Sequence, residues 1–164
     1  MIHLIDSAAV LNSEGFSFTN GKDFLTGPLV VDELRDLRSR HMAENALKNG
    51  LLRLREPSKE SLAKVKGLAS EKGFTKLSET DFSLLALALD LKAEEKDFLL
   101  ITDDFSVQNF CKLLEIKFES VIHGKIGKTI SFKKHCTGCG KTFPADYLEK
   151  SCPDCSSPIE SKKA

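Results

Sequence analysis

FLLITDDFSVQNFCKLL, residues 98–114, is the stretch on which the fold turns. Phe98–Ile101 is apolar at every position, so both faces of the segment expect burial. That is the pattern of an inner strand in a parallel sheet, not the alternation of a half-exposed antiparallel one. Thr102-Asp103-Asp104 ends the run, and Phe105–Leu114 follows with helical spacing. A charge closing a buried strand is costly unless something partners it. The chain opens in the same way. MIHLID, residues 1–6, is a short apolar run ending in Asp6, and Ser7 follows as the start of a helix.

Working outward from these two segments, strands and helices alternate. Residues 12–27 are rich in Gly, Ser, Asn and Thr and read mostly as loop. Residues 28–31 read as a short extended lead-in, and the acids of 32–37 suit the first turn of a helix. Leu51–Arg55 reads as a strand stopped by Pro57. Ser58 caps a helix over 59–72, which Gly73 ends. Ser78 and Asp81 form a capping-box pattern ahead of FSLLALAL, a helix apolar nearly all round and therefore central. Ile116–Val121 reads as another strand. This order predicts an α/β domain with a parallel sheet flanked by helices.

Cys136, Cys139, Cys152 and Cys155 form a C-x2-C-x12-C-x2-C pattern. Two tight C-x-x-C turns supply two thiolates each to a tetrahedral ion, so the spacing predicts one structural zinc in a small ribbon. The alternative is two disulfides or free thiols, but paired C-x-x-C turns are the strong form of the zinc signal, and metal binding would supply the folding energy that so small a segment lacks. Cys111 reads as a buried small hydrophobe. With four of five cysteines given to metal, a reducing, cytoplasmic compartment is expected. The N-terminus lacks the basic start of a signal peptide, and no apolar run approaches the ~20 residues that span a bilayer.

The chain has 164 residues, enough for one ordinary domain and an appendage. Its zero net charge hides an asymmetry: residues 1–121 carry a balance of −4 and residues 122–164 a balance of +4. Lys125, Lys128, Lys133 and Lys134 precede the first cysteine, and Lys141 follows within the ribbon. Lysines beside a zinc knuckle form an electrostatic footprint for nucleic acid, or else keep a linker solvated. The expected organisation is a first domain at 1–122, a basic linker at 123–134, a ribbon at 135–158 and a polar tail at 159–164. Phe132, Phe143 and Tyr147 could stack unpaired bases, although Phe143 reads better as ribbon packing.

Asp6 and Asp103 or Asp104 close predicted strands, while Glu33 and Asp81 sit at predicted helix starts. In an open α/β sheet these positions share the rim where ligands bind. Each acid singly reads as a cap or a helix-dipole partner. Together they would repel unless a cation such as Mg²⁺ or Mn²⁺ offsets them. His3, inside the first strand, reads as core or rim.

The motifs LIDSAAVL, VVDELRD, LSETDFSLLALAL and FLLITDDFSVQN, in this order, resemble the PIN-domain nucleases. With the C-terminal ribbon, the chain is similar to the compact, archaeal-type Nin-one-binding endoribonucleases, which mature small-subunit ribosomal RNA. The resemblance covers about 1–122 and 135–158. It implies a metal-dependent endoribonuclease that uses one or two Mn²⁺ or Mg²⁺ ions held by Asp6, Glu33, Asp81 and an acid of the T-D-D segment. Asp104 is favoured there, with Asp103 the alternative. Ser7 and Thr102 would orient the carboxylates. It also implies ribosomal RNA, the precursor small-subunit particle and ribosome-assembly proteins as partners. Two other readings stay open: a non-catalytic RNA-binding module on a degenerate PIN fold, and a toxin-type PIN nuclease with another RNA target. The ribbon argues against the latter, because those nucleases resemble the first domain alone.

Overall fold

The computed structural model describes residues 1–11, 16–121, 132–144 and 147–163, with the side chains of 132 and 162–163 left aside. It divides into two compact units, Met1–Lys125 and Ile126–Ala164.

The first unit is a three-layer α/β structure. Its strands are β1 (Ile2–Ile5), β2 (Asp23–Thr26), β3 (Leu52–Leu54), β4 (Phe98–Ile101) and β5 (Phe118–Glu119). They form one sheet in the order β3-β2-β1-β4-β5, and every pairing is parallel. The helices are α1 (Ser7–Leu11), α2 (Pro28–Asp32), α3 (Leu37–Lys48), α4 (Lys59–Lys72), α5 (Glu79–Ala93) and α6 (Phe105–Leu113). Strand side chains alternate between two cores. Leu4, Leu25 and Leu100 meet Val65, Leu84, Leu87, Val107 and Phe110 of α4, α5 and α6. On the other face Ile5, Phe24, Leu52 and Ile101 meet Val10, Ala43 and Ala46 of α1 and α3. Burial on both faces is what the unbroken apolar runs of β1 and β4 require.

α5 is the central helix: Leu84, Leu85 and Leu87 are fully buried, so it shows no polar stripe. It is tied to α4 through Asp90, which accepts from the Ser58 amide and hydroxyl at 2.7 Å each and from the Ser61 hydroxyl at 2.6 Å. The capping box at its start is formed: Asp81 N donates to Ser78 Oγ at 3.2 Å, and Ser78 N donates to Asp81 Oδ2 at 2.7 Å. α4 is capped by Ser58 and ends at Gly73, whose φ of 74° is the left-handed turn that suits glycine.

Three local expectations are corrected. The segment 12–27 contains β2, whose short Phe-Leu-Thr run is too brief to show periodicity but supplies the strand between β1 and β3. Residues 28–31 are not extended. Pro28 stands at the start of α2, where its fixed φ favours a helix and its missing N–H is not needed. As a result Glu33 is the C-cap of α2 rather than the first turn of a helix, and the next helix begins after Asp36, which caps α3 by accepting from Ser39 N at 2.9 Å. The strand expected over 116–121 is reduced to Phe118–Glu119.

The second unit is a three-stranded antiparallel ribbon of β6 (Phe132–Cys136), β7 (Thr142–Phe143) and β8 (Ile159–Lys163), in the order β7-β6-β8. The residues read as a polar tail form β8, which pairs with β6 from Phe132 to Cys136. Its polarity is that of a strand in a sheet with almost no core, so composition alone does not distinguish it from a frayed end. Among the described residues here few side chains are buried: Cys136, Phe143 and Cys152. Among the described residues, no helix is long and apolar enough to cross a membrane.

Candidate functional site

In the first unit the strand order reverses between β1 and β4, so a crevice opens beyond their C-terminal ends. Asp6 follows β1, and Thr102 to Asp104 follow β4. Asp6 N donates to Ile101 O at 3.0 Å, which continues the pairing into the site. Asp6 is 2% exposed. Thr102, fully buried, donates its hydroxyl to Asp6 Oδ2 at 2.5 Å. Ser7 Oγ lies 3.3 Å from Asp6 Oδ1 and 2.9 Å from Glu33 Oε2. One hydroxyl proton serves one acceptor at a time, and the shorter contact is to Glu33.

Asp104 caps α6, its Oδ1 accepting from Ser106 N at 2.7 Å and Val107 N at 3.2 Å. Asp103 accepts at its Oδ1 from the Ser120 hydroxyl. The charge of Asp104 reaches the other acids. Burial pushes the Asp6 carboxyl up to about 6; the Thr102 hydrogen bond opposes the rise, and the charges of Asp81 and Asp104 add to it. Asp81 is raised as well, by burial first, against the hydrogen bonds from Ser78 and with help from Asp104 and Glu33. Asp6, Glu33, Asp81 and Asp104 thus feel one another across the crevice, although they come from four distant parts of the chain. Their oxygens are hard donors that suit Mg²⁺ or Mn²⁺.

A stability prediction follows from Asp6. Its folded pKa lies above its unfolded one, so folding gains from its protonation below about pH 4 and loses that gain as pH rises through 6. In EDTA the wild type is expected to lose up to about 3 kcal/mol relative to Asp6→Asn between pH 4 and 7. Urea unfolding of both proteins across that range measures it, and parallel curves would refute it. Taking the difference cancels Asp36, Asp90 and Glu94, whose lowered values act in the opposite direction.

Two further residues support the crevice and were not singled out from sequence. Gln108 Nε2 donates to Thr102 O at 2.9 Å, and buried Thr26 donates its hydroxyl to Ile5 O at 2.6 Å. For Thr26 the local signal is a polar residue at a strand's C-terminal end, whereas Gln108 lies within α6 and has none. His3 lies against Phe24, ring centroids 5.4 Å apart, within the sheet. Cys111 is fully buried, and burial pushes its thiol up to about 12, which leaves it an inert hydrophobe.

In the second unit the ligand atoms of Cys136, Cys139, Cys152 and Cys155 all lie within 4.8 Å of one another, a group that could hold a metal ion. Among the described residues no other set of acids, histidines or cysteines closes this tightly, so the carboxylate cluster is the more open of the two sites. Sγ of Cys136 is 3.3 Å from that of Cys155, and Sγ of Cys139 is 3.7 Å from that of Cys152. The thiols titrate together: hydrogen bonds from Ser157 and then Cys136 draw Cys155 down, while against the Lys141 amide those from Cys136, Cys152 and Cys155 push Cys139 up. Each knuckle turns through a left-handed residue just after its second cysteine: Gly140 at φ 73° and Ser156 at φ 60°. Gly138 has no room for a side chain, since a Cβ there would stand 2.3 Å from Ser157 Oγ.

The ribbon lysines differ in their surroundings. Lys133 is exposed, Lys134 donates to Tyr147 O, and Lys141 pairs with Asp154 at 2.6 Å. Lys125 and Lys128 lie outside the described residues, as does the side chain of Phe132. Phe143 is buried and stacks on Tyr147 with centroids 4.5 Å apart, so both rings are engaged in the ribbon's own packing.

Residues 4–91 match the family described as PIN domain of ribonuclease. The chain is 37% identical over 164 residues to the endoribonuclease Nob1 of Methanothermobacter thermautotrophicus, covering 99% of this chain and 94% of that protein. It is 40% identical over 146 residues to the endoribonuclease Nob1 of Pyrococcus abyssi, covering 87% of each. It is also 32% identical over 161 residues to the ribonuclease VapC1 of Thermoplasma acidophilum, covering 98% of this chain and 77% of that protein. The last match covers nearly the whole chain, the ribbon included.

Proposed function

This chain belongs to the PIN-domain ribonucleases, in the family of the Nob1 endoribonucleases, and on that premise we propose that it cuts precursor small-subunit ribosomal RNA at its 3′ end. The observation that carries the proposal is the convergence of Asp6, Glu33, Asp81 and Asp104 at the point where the strand order reverses. A polyanion such as RNA would be repelled by such a cluster, and burying Asp6 is costly, unless a cation is held there.

The donor chemistry fits one or two Mg²⁺ or Mn²⁺ ions held by these four carboxylates. When bound, the cation supplies Lewis acidity toward the phosphate and lowers the pKa of the attacking water. The chain's own residues do the rest. The Thr102 hydroxyl fixes one oxygen of Asp6, and the Ser7 hydroxyl bridges toward Glu33. The capping bonds of Asp81 and Asp104 hold each carboxylate by one oxygen and leave the other for the site. No side-chain nucleophile is called for, and the products carry a 5′-phosphate and a 3′-hydroxyl.

In the ribbon the thiolate set fits one zinc ion. A tetrahedron with Zn–S bonds near 2.3 Å has sulfur–sulfur edges of about 3.8 Å, close to the 3.7 Å between Cys139 and Cys152. The ribbon would hold RNA, with exposed Lys133 meeting phosphates and Lys125, Lys128, Lys134 and Lys141 contributing charge. We place this work in the cytoplasm, on the precursor particle with its assembly proteins.

The test is cleavage of an RNA spanning the 3′ end of small-subunit ribosomal RNA, with Mn²⁺ and with EDTA. Cutting at one position that EDTA abolishes is expected. Tight binding without cutting would leave an RNA-binding module, and preferential cutting of transfer or messenger RNA would leave a nuclease of another target.

A further inference from the structure

Phe105 is 65% exposed, although a phenyl ring gains from leaving water. It stands immediately after Asp104, at the first position of α6. The buried face of that helix is Val107, Phe110 and Cys111, and Phe105 belongs neither to that face nor to the partly buried residues packed on either core. Among the described residues no aromatic partner pairs with it. Exposed leucines also occur nearby in sequence to the acids, Leu11 at 47% and Leu29 at 42%, but neither has a π-face.

The backbone beneath this ring is held rigidly to the acids. Asp104 Oδ1 accepts from Ser106 N at 2.7 Å and from Val107 N at 3.2 Å, which fixes the residues on both sides of Phe105. Gln108, one turn along, donates to Thr102 O at 2.9 Å, and Thr102 donates to Asp6 at 2.5 Å. Phe105 directly follows Asp104 and is exposed, so a base flanking a phosphate held at the acids has this ring as a neighbour within one residue of the site. Phosphate contacts position a strand, and unpaired bases stack on aromatic rings.

We propose that Phe105 is a positioning residue, the platform on which an unpaired nucleobase flanking the scissile phosphate stacks. The proposal rests on the nuclease reading and deepens it. It assigns the substrate a single-stranded segment at the cut and makes one base beside the cut a determinant of binding. Stacking tolerates any base, so Phe105 selects for unpairedness and position rather than for sequence.

The test compares wild type, Phe105→Ala, Phe105→Leu and Phe105→Trp on a short single-stranded RNA spanning the cut, and on copies with an abasic nucleotide moved stepwise along it. Phe105→Ala is expected to raise KM about tenfold or more, with a smaller change in kcat, and Phe105→Leu to behave alike. Phe105→Trp should retain wild-type KM. One abasic position beside the cut should weaken wild type by a similar factor and leave Phe105→Ala unaffected. Unchanged melting of the variants is expected, because the ring has little packing to lose. An unaltered KM in Phe105→Ala, or an abasic effect undiminished in that variant, would overturn the proposal and leave the ring as a surface for a protein partner. The same comparison read as RNA binding in EDTA keeps the two readings separable. Wild type that binds but never cuts sinks the nuclease reading, while the abasic coupling still decides whether Phe105 stacks a base.

Discussion

Asp6→Asn is expected to reduce cleavage in Mn²⁺ by about a thousandfold, with stability at neutral pH unchanged or raised. Asp6 is the most buried of the four acids and the one that Thr102 and Ser7 both reach. Asparagine keeps the volume and can still accept a hydroxyl proton, but it removes the charge that would hold a cation. Loss of activity together with preserved folding therefore separates chemistry from structure. Two companions sharpen the result. Asp104→Asn should fall nearly as far, because Asp104 acts on both Asp6 and Asp81. Asp103→Asn should be mild, because that carboxylate is turned toward Ser120. Equal losses at 103 and 104, or a fully active Asp6→Asn, would contradict the arrangement. Gel-resolved rates under single-turnover conditions would read all three.

Stripping metal from the ribbon, or replacing Cys152 by serine, is expected to unfold the second unit outright. Its buried side chains among the described residues are Cys136, Phe143 and Cys152, two of which belong to the proposed zinc set. So small a core stabilises little, whereas binding of a structural zinc contributes on the order of 10–16 kcal/mol. Metal content should fall from one zinc per chain to none, and the amide signals of β6, β7 and β8 should collapse while those of the first unit persist. RNA affinity should drop and become less salt-dependent as Lys133 and its neighbours lose a fixed geometry. Gly138→Ala offers a graded version, since a Cβ would meet Ser157 Oγ at 2.3 Å and Cys155 Sγ at 3.3 Å. A ribbon that keeps its sheet without metal would remove this account.

Much of the architecture was legible because its signals are local. The apolar runs of β1 and β4 read as parallel strands. Ser58 with Gly73, and Ser78 with Asp81, bracket or open helices that occur where expected. The four-cysteine spacing needs only two turns to bring its ligands together. The failures have equally definite causes. β2 is four residues long and opens on a charge, so no periodicity could announce it. The acids of 32–37 suggested a helix start, but Pro28 begins its helix one turn earlier and leaves Glu33 at the end. β8 has one apolar residue, Ile159, packed on the ribbon's small cluster, so no alternation could announce it.

The sequence by itself determined the fold class, the ribbon and the types of residue available for chemistry, since hydrophobic runs, caps and ligand spacing are written within a few residues. Only the tertiary structure decided which of those residues meet. The reversal of strand order between β1 and β4 brings positions 6, 33, 81 and 104 to one crevice. After Thr102, Asp104 caps α6 while Asp103 Oδ1 accepts from the Ser120 hydroxyl, two different settings for adjacent acids. The outer surface of α6 leaves Phe105 in solvent. Each of these depends on contacts between segments far apart in the chain, where the energy of packing and of opposed charges is set by geometry that no local window contains.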